Sequence, residues 1–294
     1  MNPQNLKQAY LLIRDLVPPV AWKPFLGLVS EVYDLCSDSS HLMNNRRLKG
    51  VGFGRKAFLI ATGPSLKDED LSFLADYDCF SVSNFILHPQ LNTVSPRIHF
   101  FAPYHEPLIL NNFIQWLKRA DDMLPHDTSV CISERDKPLI EKYSLFRGRD
   151  LIYLRLGKAP SYGTFELTKT VLAPYTSPIM ALPVLLYMGY SSVYLLGCDN
   201  NSLRNFGGTI ENFYDSQLDP RLNATSDEKW TSGIIVTIEE QLEQFKQYEF
   251  YNRLFKRLGR NLFQCSPSSW LTFVNFASLT SQNQGKALGK TTDL

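Results

Sequence analysis

The stretch Lys56 to Leu66, KAFLIATGPSL, constrains the fold more than any other part of the chain. An apolar run, Phe58, Leu59 and Ile60, stops at Thr62-Gly63-Pro64-Ser65, and polar residues resume at Lys67. A buried strand that runs into a glycine-containing turn and then a helix start opens many nucleotide-binding α/β domains. Ser65 is placed to cap such a helix, and Asp68 and Glu69 fall in its first turn, where carboxylates complement the helix dipole. Unpaired backbone N–H groups at that point favour a phosphate. The same chemistry also caps ordinary helices, so the turn by itself does not separate a ligand site from a structural corner.

From Lys56 onward, strand and helix patterns alternate. Strands are expected at Ala57–Ala61, Cys79–Ser83, Ile98–Ala102, Ser129–Ile132, Leu151–Leu154, Ser192–Leu196 and Asn261–Cys265. Helices are expected at Leu66–Ala75, Leu108–Arg119, Pro138–Tyr143, Ser177–Met188 and Thr237–Leu258. This alternation predicts an α/β domain over residues 51–278, with a mainly parallel sheet and helices on both faces. Residues 1–50 form an N-terminal helical arm: Leu6 to Val17 is amphipathic, and Pro18-Pro19 breaks it. The arm's Trp22, Phe25 and Leu26, followed by Arg46, Arg47 and Lys49, suit either an anionic membrane surface or packing on the main domain. The polar run at 203–233 lacks periodicity and is too long for an ordinary connection, which points to a lid. Residues 279–294 are expected to be a flexible tail.

A formal net charge of +1 over 294 residues gives no support for a nucleic-acid partner. Five cysteines, widely spaced and odd in number, show neither zinc spacing nor a disulfide framework and fit reduced thiols in the cytoplasm. The first residues, MNPQNLKQAY, lack the pattern of a signal peptide, and no apolar run nears the roughly 20 residues of a membrane span. The expectation is a cytoplasmic protein, with or without peripheral contact to the membrane.

Ligands of open parallel sheets bind at the carboxyl ends of the strands. Here those ends supply Thr62, Gly63 and Ser65, then Ser83 and Asn84, then Tyr104, His105 and Glu106. Further along come Asp199, Asn200 and Asn201, and finally Ser266, Ser268 and Ser269. Thr176 and Ser177 stand just before the apolar helix IMALPVLLYMGY. Small polar groups and backbone amides dominate this set, which suits a nucleotide-sugar bound without a P-loop. Each residue also has a plain structural use. Thr176 and Ser177 can cap their helix, Asp199 and Asn84 can close turns, and a strand-end histidine is commonly structural. Glu239, Glu240 and Glu243 suit the first turns of a long helix as a solvated face.

Taken in order, KAFLIATGPSLKDEDLSFL, FSVSNF, YTSPIMALPVLLYMGYSSVYLLGCDNN and LFQCSPSSWLTFVNF resemble the bacterial sialyltransferases of glycosyltransferase family 42, over about residues 56 to 276. The resemblance implies a Rossmann-like domain of the GT-A-variant kind. It also implies a CMP-activated sialic acid or related ulosonic acid as donor and a cell-surface glycan as acceptor, with no metal and no cofactor. By position, Thr62, Gly63 and Ser65 would face the nucleotide and Asn84 the donor. Thr176 and Ser177 would bind the donor sugar and its carboxylate. Asp199 would match the acidic residue after the apolar strand, and Asn201 or Tyr214 would stand in for the family's tyrosines that follow it. Ser266 to Ser269, with Ser268 and Ser269 among them, would match a loop near the nucleotide.

The family's general base is a histidine in the loop before its last long helix, and residues 203–258 here contain none. Deprotonating an acceptor hydroxyl then falls to His105, Glu106 or Asp227. A runner-up family, the pterin pyrophosphokinase-like proteins, shares the Gly-Pro-Ser-Leu turn and the Gly-x-Asp strand end. Those proteins place acidic residues at the early strand ends for metal-assisted diphosphate transfer, where this chain has Asn84 and Ala102. A third reading is a nucleotide- or glycan-binding accessory protein without a catalytic base. The arm RDLVPPVAWKPF is similar to the Leu-x-Pro-Pro arms that begin many polysaccharide-biosynthesis proteins.

Overall fold

The computed structural model describes residues 19–105, 108–158, 165–208, 210–219 and 233–279. In chain order the strands are β1 (Lys56–Ile60), β2 (Asp78–Val82), β3 (Ile98–Phe100), β4 (Ser129–Ser133), β5 (Leu151–Leu154), β6 (Leu156–Gly157), β7 (Val171–Leu172), β8 (Ser192–Leu196), β9 (Asn261–Gln264) and β10 (Asn275–Phe276). Eight of them make one sheet in the order β10-β9-β8-β1-β2-β3-β4-β5, and β6 and β7 make a separate pair. Every neighbouring pair is parallel. The fold is thus Rossmann-like α/β, and all seven expected strands are present within a residue or two of their expected ends.

Alternation along the strands builds a core on each face. Ala57, Leu59 and Ala61 of the first strand and its extension face one cluster, with Phe80, Phe100, Val193 and Leu195 from neighbouring strands. Helix α4 (Ser177–Met188) and the Tyr248, Tyr251 and Phe255 side of helix α5 (Ile234–Arg257) cover that side. Phe58 and Ile60 face the other cluster, which is covered by Phe113, Trp116, Leu117 and Ala120 of helix α2 (Leu110–Met123) and by Ile140 of helix α3 (Lys137–Tyr143). Every residue of α4 from Ile179 to Met188 is buried. Each large side chain there contributes roughly 1.5–3 kcal/mol, so α4 is held by its whole circumference.

Helix α1 (Pro19–Cys36) is the described part of the arm, and its acidic residues turn towards the domain. Glu31 pairs with Lys169, and Asp34 accepts from the Thr170 amide (2.8 Å) and from Arg155 (3.2 Å). Leu28, Val29, Val32 and Leu35 are exposed. The expected Leu6–Val17 helix and its break at Pro18 lie outside the described residues. Among the described residues no helix is long and apolar enough to cross a membrane.

One expected helix is absent. Residues 66–75 form two short 3-10 turns, Pro64–Leu66 and Ser72–Asp76. Side chains capture the amides a helix would need: Leu71 N–H donates to Gln90 Oε1 (2.8 Å) and Ser72 N–H to Asp70 Oδ1 (2.9 Å). Short polar side chains compete with helical bonding in this way.

Candidate functional site

The sheet reverses its order at β1, because the chain leaves that strand towards β2 and later returns to its other side as β8. Their carboxyl ends, Thr62-Gly63-Pro64-Ser65 and Gly197-Cys198-Asp199-Asn200-Asn201, meet at this switch point. Doubly wound sheets hold ligands at such a place. Two neighbouring cavities open there. The inner one, about 370 Å³, is lined by Thr62, Gly63, Thr176, Ser177, Asp199 and Tyr248 among others. The outer one, about 290 Å³, is lined by Ser65, Arg204, Asn205 and Ser268. Pro64, Asn201, Ser202 and Glu211 line both.

The two strand ends are locked together. Gly63 N–H donates to the Gly197 carbonyl (2.9 Å), and Ser65 N–H donates to Asp199 Oδ2 (3.0 Å). A Cβ at position 63 would collide with that carbonyl and with the Asp199 carboxylate, so only glycine allows this approach. Ser65 therefore caps no helix, and the amides of Gly63 and Ser65 are already paired within the chain. Asp199 belongs to the site in a second way, since its Oδ1 is buried without a hydrogen-bond partner.

Two further polar atoms share that condition in the same chamber. Thr176 Oγ1 and the Tyr248 hydroxyl are buried and unpartnered. Thr176 holds the N-cap position of α4 but makes no side-chain cap bond, which excludes the capping role. Gln247 fixes the approach to it by accepting from Tyr175 N–H (2.9 Å) and donating to the Ala173 carbonyl (2.8 Å). The Tyr248 hydroxyl lies beside the Thr176, Asn200 and Cys198 side chains, and burial raises its pKa far above the ordinary phenol value. Burying such a group without a partner costs of order 1–3 kcal/mol. All three belong to residues that line one chamber, so its walls hold three buried polar atoms without partners.

Backbone strain collects at the same walls. Ser83 (φ 54°) and Asn200 (φ 50°) are left-handed without being glycine, and both line the inner chamber. Each such residue costs of order 1–3 kcal/mol and persists where its surroundings impose it. At Ser83 the imposing group is His99, whose Nε2–H donates to the Ser83 carbonyl (3.0 Å) while Nδ1 accepts from Ser81 Oγ (2.7 Å). Burial pushes the His99 pKa down to about 3, which keeps the ring neutral for this arrangement.

Several expected site residues are placed elsewhere or otherwise occupied. Asn84 is buried and does not line either chamber. Its Oδ1 accepts from Trp116 Nε1 (2.7 Å) and its Nδ2 donates to the Tyr214 hydroxyl (2.8 Å). Ser269 Oγ donates to the Cys198 carbonyl (3.0 Å), tying its loop to the end of β8, whereas Ser268 stays in the outer chamber. Asn201 lines both chambers and also donates to the Ser268 carbonyl (3.1 Å). His105 is exposed, with Nδ1 against the Pro103 carbonyl (3.1 Å), and does not line the cleft. Glu106 and Asp227 lie outside the described residues.

The segment expected to be a lid is described over 203–208 and 210–219, and its Ile210, Glu211 and Asn212 line the cleft. Phe213 N–H donates to the Thr62 carbonyl (3.2 Å), and its ring packs on Phe85 and His88. The sequence had not marked Arg204, Glu211 or Tyr248. The first two fall in an aperiodic polar run, and Tyr248 sits deep in a long helix with no local motif. Among the described residues, no cluster of three or more His, Cys, Asp or Glu could hold a metal ion.

No protein-family model matches this chain, and no curated protein matches it. Solved structures do. One is the sialyltransferase CST-II in complex with trisaccharide acceptor and CMP, at 18% identity and a TM-score of 0.45, with 76% of this chain and 86% of that chain covered. Another is CstII from Campylobacter jejuni in complex with a substrate analogue, cytidine-5'-monophosphate, at 17% identity and a TM-score of 0.39, covering 76% of this chain and 85% of that one.

Proposed function

We propose that this protein is a glycosyltransferase that moves an acidic sugar, sialic acid or a related ulosonic acid, from its CMP-activated donor to a cell-surface glycan. The observation that carries a polar-ligand site is a chamber at the switch point whose lining residues Thr176, Asp199 and Tyr248 each hold a buried polar atom without a partner. The ordered motifs of the sequence, from KAFLIATGPSL to LFQCSPSSW, supply the choice of a CMP-sugar. Arg204 is the cation lining the cleft, and it forms no ion pair among the described residues, so it is available to a donor phosphate. Thr62, Gly63, Thr176, Ser177, Asp199 and Asn201 hold the donor in this reading, and Asn84 supports the lid. The lid excludes water that would otherwise hydrolyse the donor.

The test is a thermal-shift panel of CMP, CDP, UDP, GDP and ATP, each with and without Mg²⁺. A ligand that binds only the folded chain raises Tm by mass action. The expected result is a rise with CMP or CDP that does not depend on Mg²⁺. A rise only with ATP and Mg²⁺ would transfer the assignment to pyrophosphoryl transfer, and no rise with any nucleotide would defeat it.

A further inference from the structure

We infer that Glu211 is the general base of the transfer, an inference that rests on reading the cleft as a CMP-sugar site. Two carboxylates line the cleft among the described residues, and they differ in what they already do. Asp199 is committed to the Ser65 amide and is buried. Glu211 makes no ion pair or side-chain hydrogen bond among the described residues and is exposed, open to an acceptor arriving from solvent. It is one of the four residues that line both chambers, and the only carboxylate among them.

Its position is fixed from nearby. Two residues on, Phe213 is bonded to the Thr62 carbonyl and packed on Phe85 and His88, and Tyr214 receives the Asn84 amide. The carboxylate is therefore carried on a segment fastened to the ends of β1 and β2. His105 lines neither chamber.

In the step, the acceptor hydroxyl oxygen bonds to the anomeric carbon while the bond from that carbon to the phosphate oxygen breaks. CMP leaves with that electron pair, and the hydroxyl proton passes to the Glu211 carboxylate. Water can take the acceptor's place, so CMP release from CMP-sialic acid reports the same proton transfer.

The experiment compares the full-length wild type with Glu211→Gln and Glu211→Ala, measuring CMP release from CMP-sialic acid across pH and CMP binding by calorimetry. General base catalysis contributes about 10²–10⁴-fold. Glu211→Gln is expected to lower kcat at least about 100-fold and to lose the acidic limb of the pH profile. Its affinity for CMP should stay within about threefold, and formate should restore turnover to Glu211→Ala. A Glu211→Gln kcat near the wild-type value, or a retained acidic limb, overturns the assignment while leaving the transferase reading intact. Wild type that binds CMP but never releases it from CMP-sialic acid overturns the base and the transfer step together, and leaves the nucleotide site standing. Wild type that binds no CMP overturns both the base and the site.

Discussion

At the scale of single residues, the polar atoms without partners separate stability from function. The Tyr248 hydroxyl and Thr176 Oγ1 are buried side by side without a well-formed hydrogen bond, so burial takes their water and the chain replaces it incompletely. Tyr248→Phe and Thr176→Val are therefore expected to leave Tm unchanged or raise it, by up to about 1 kcal/mol each, while weakening CMP or its sugar conjugate about 5–30-fold. Melting curves and calorimetry on the same samples check this, and a fall in both stability and affinity would mean that the groups are structural. Asp136 offers a test by pH. Burial, opposed by the Tyr104 amide bond, raises its carboxyl to about 6. The folded state thus holds its proton more tightly than the unfolded chain. That contribution is complete below about pH 4 and is lost as pH rises through 6, at a cost of up to about 3 kcal/mol by linkage. His99 acts with the opposite sign, since its lowered pKa removes stability as the pH falls below its ordinary value. Asp136→Asn isolates the first effect: the urea midpoint of the variant should gain on wild type between pH 4 and 7, and parallel curves would reject it.

At the scale of elements, the segment 210–219 beside the cleft is an irregular loop tied to the strand ends by the hydrogen bonds of Phe213 and Tyr214. Tyr214 is its central tie, accepting from Asn84 and donating to Asp219 Oδ2 (3.3 Å). Tyr214→Phe is expected to cost about 1 kcal/mol globally but to raise amide exchange selectively over 210–219, with a higher KM for donor and little change in CMP affinity. Exchange that rises equally in α4 would show that the loop is not a separate unit. The same elements show what local pattern can reveal. Strands such as Phe58–Ile60 and Val193–Leu196 were legible because short apolar runs ending at glycine or polar turns have few other uses. Residues 66–75 followed a turn suited to a helix start and carried Asp68 and Glu69 in the expected first turn, and still formed no helix. The decisive partner was Gln90, a side chain whose presence no window around residue 71 contains. The site divided in the same way. Thr62, Gly63, Thr176 and Asp199 were legible as strand-end or cap residues, whereas Tyr248 joins them only because α5 crosses the start of α4.

At the scale of the whole molecule, the sheet order follows from alternating strands and helices, but the attachment of the arm does not, because it runs through side-chain contacts between distant segments, a buried ion network foremost. Arg155, just after β5 and 3% exposed, gives Nε to Glu134 Oε1 (2.6 Å), Nη1 to Asp34 (3.2 Å) and Ser39 Oγ (2.8 Å), and Nη2 to the Asp38 carbonyl (2.7 Å). A single guanidinium thus joins α1, the turn that follows it and the end of β4. Removing one member of a buried ion group costs more than the group contributed, because the remaining charges stay desolvated without a partner. Arg155→Met should therefore lower stability by about 3–5 kcal/mol, and added salt should not change that loss, since buried pairs are poorly screened. Arg155→Met combined with Asp34→Asn and Glu134→Gln should recover most of the deficit, because no charge is then stranded. Urea midpoints of wild type and the two variants at low and high salt measure both effects, and limited proteolysis near residues 37–55 reports whether the arm has come away. A loss below about 1 kcal/mol in Arg155→Met, or one that salt removes, would make the network an ordinary surface feature. In that case the burial of α4 and α5 against the sheet would have to hold the arm's neighbours in place without it.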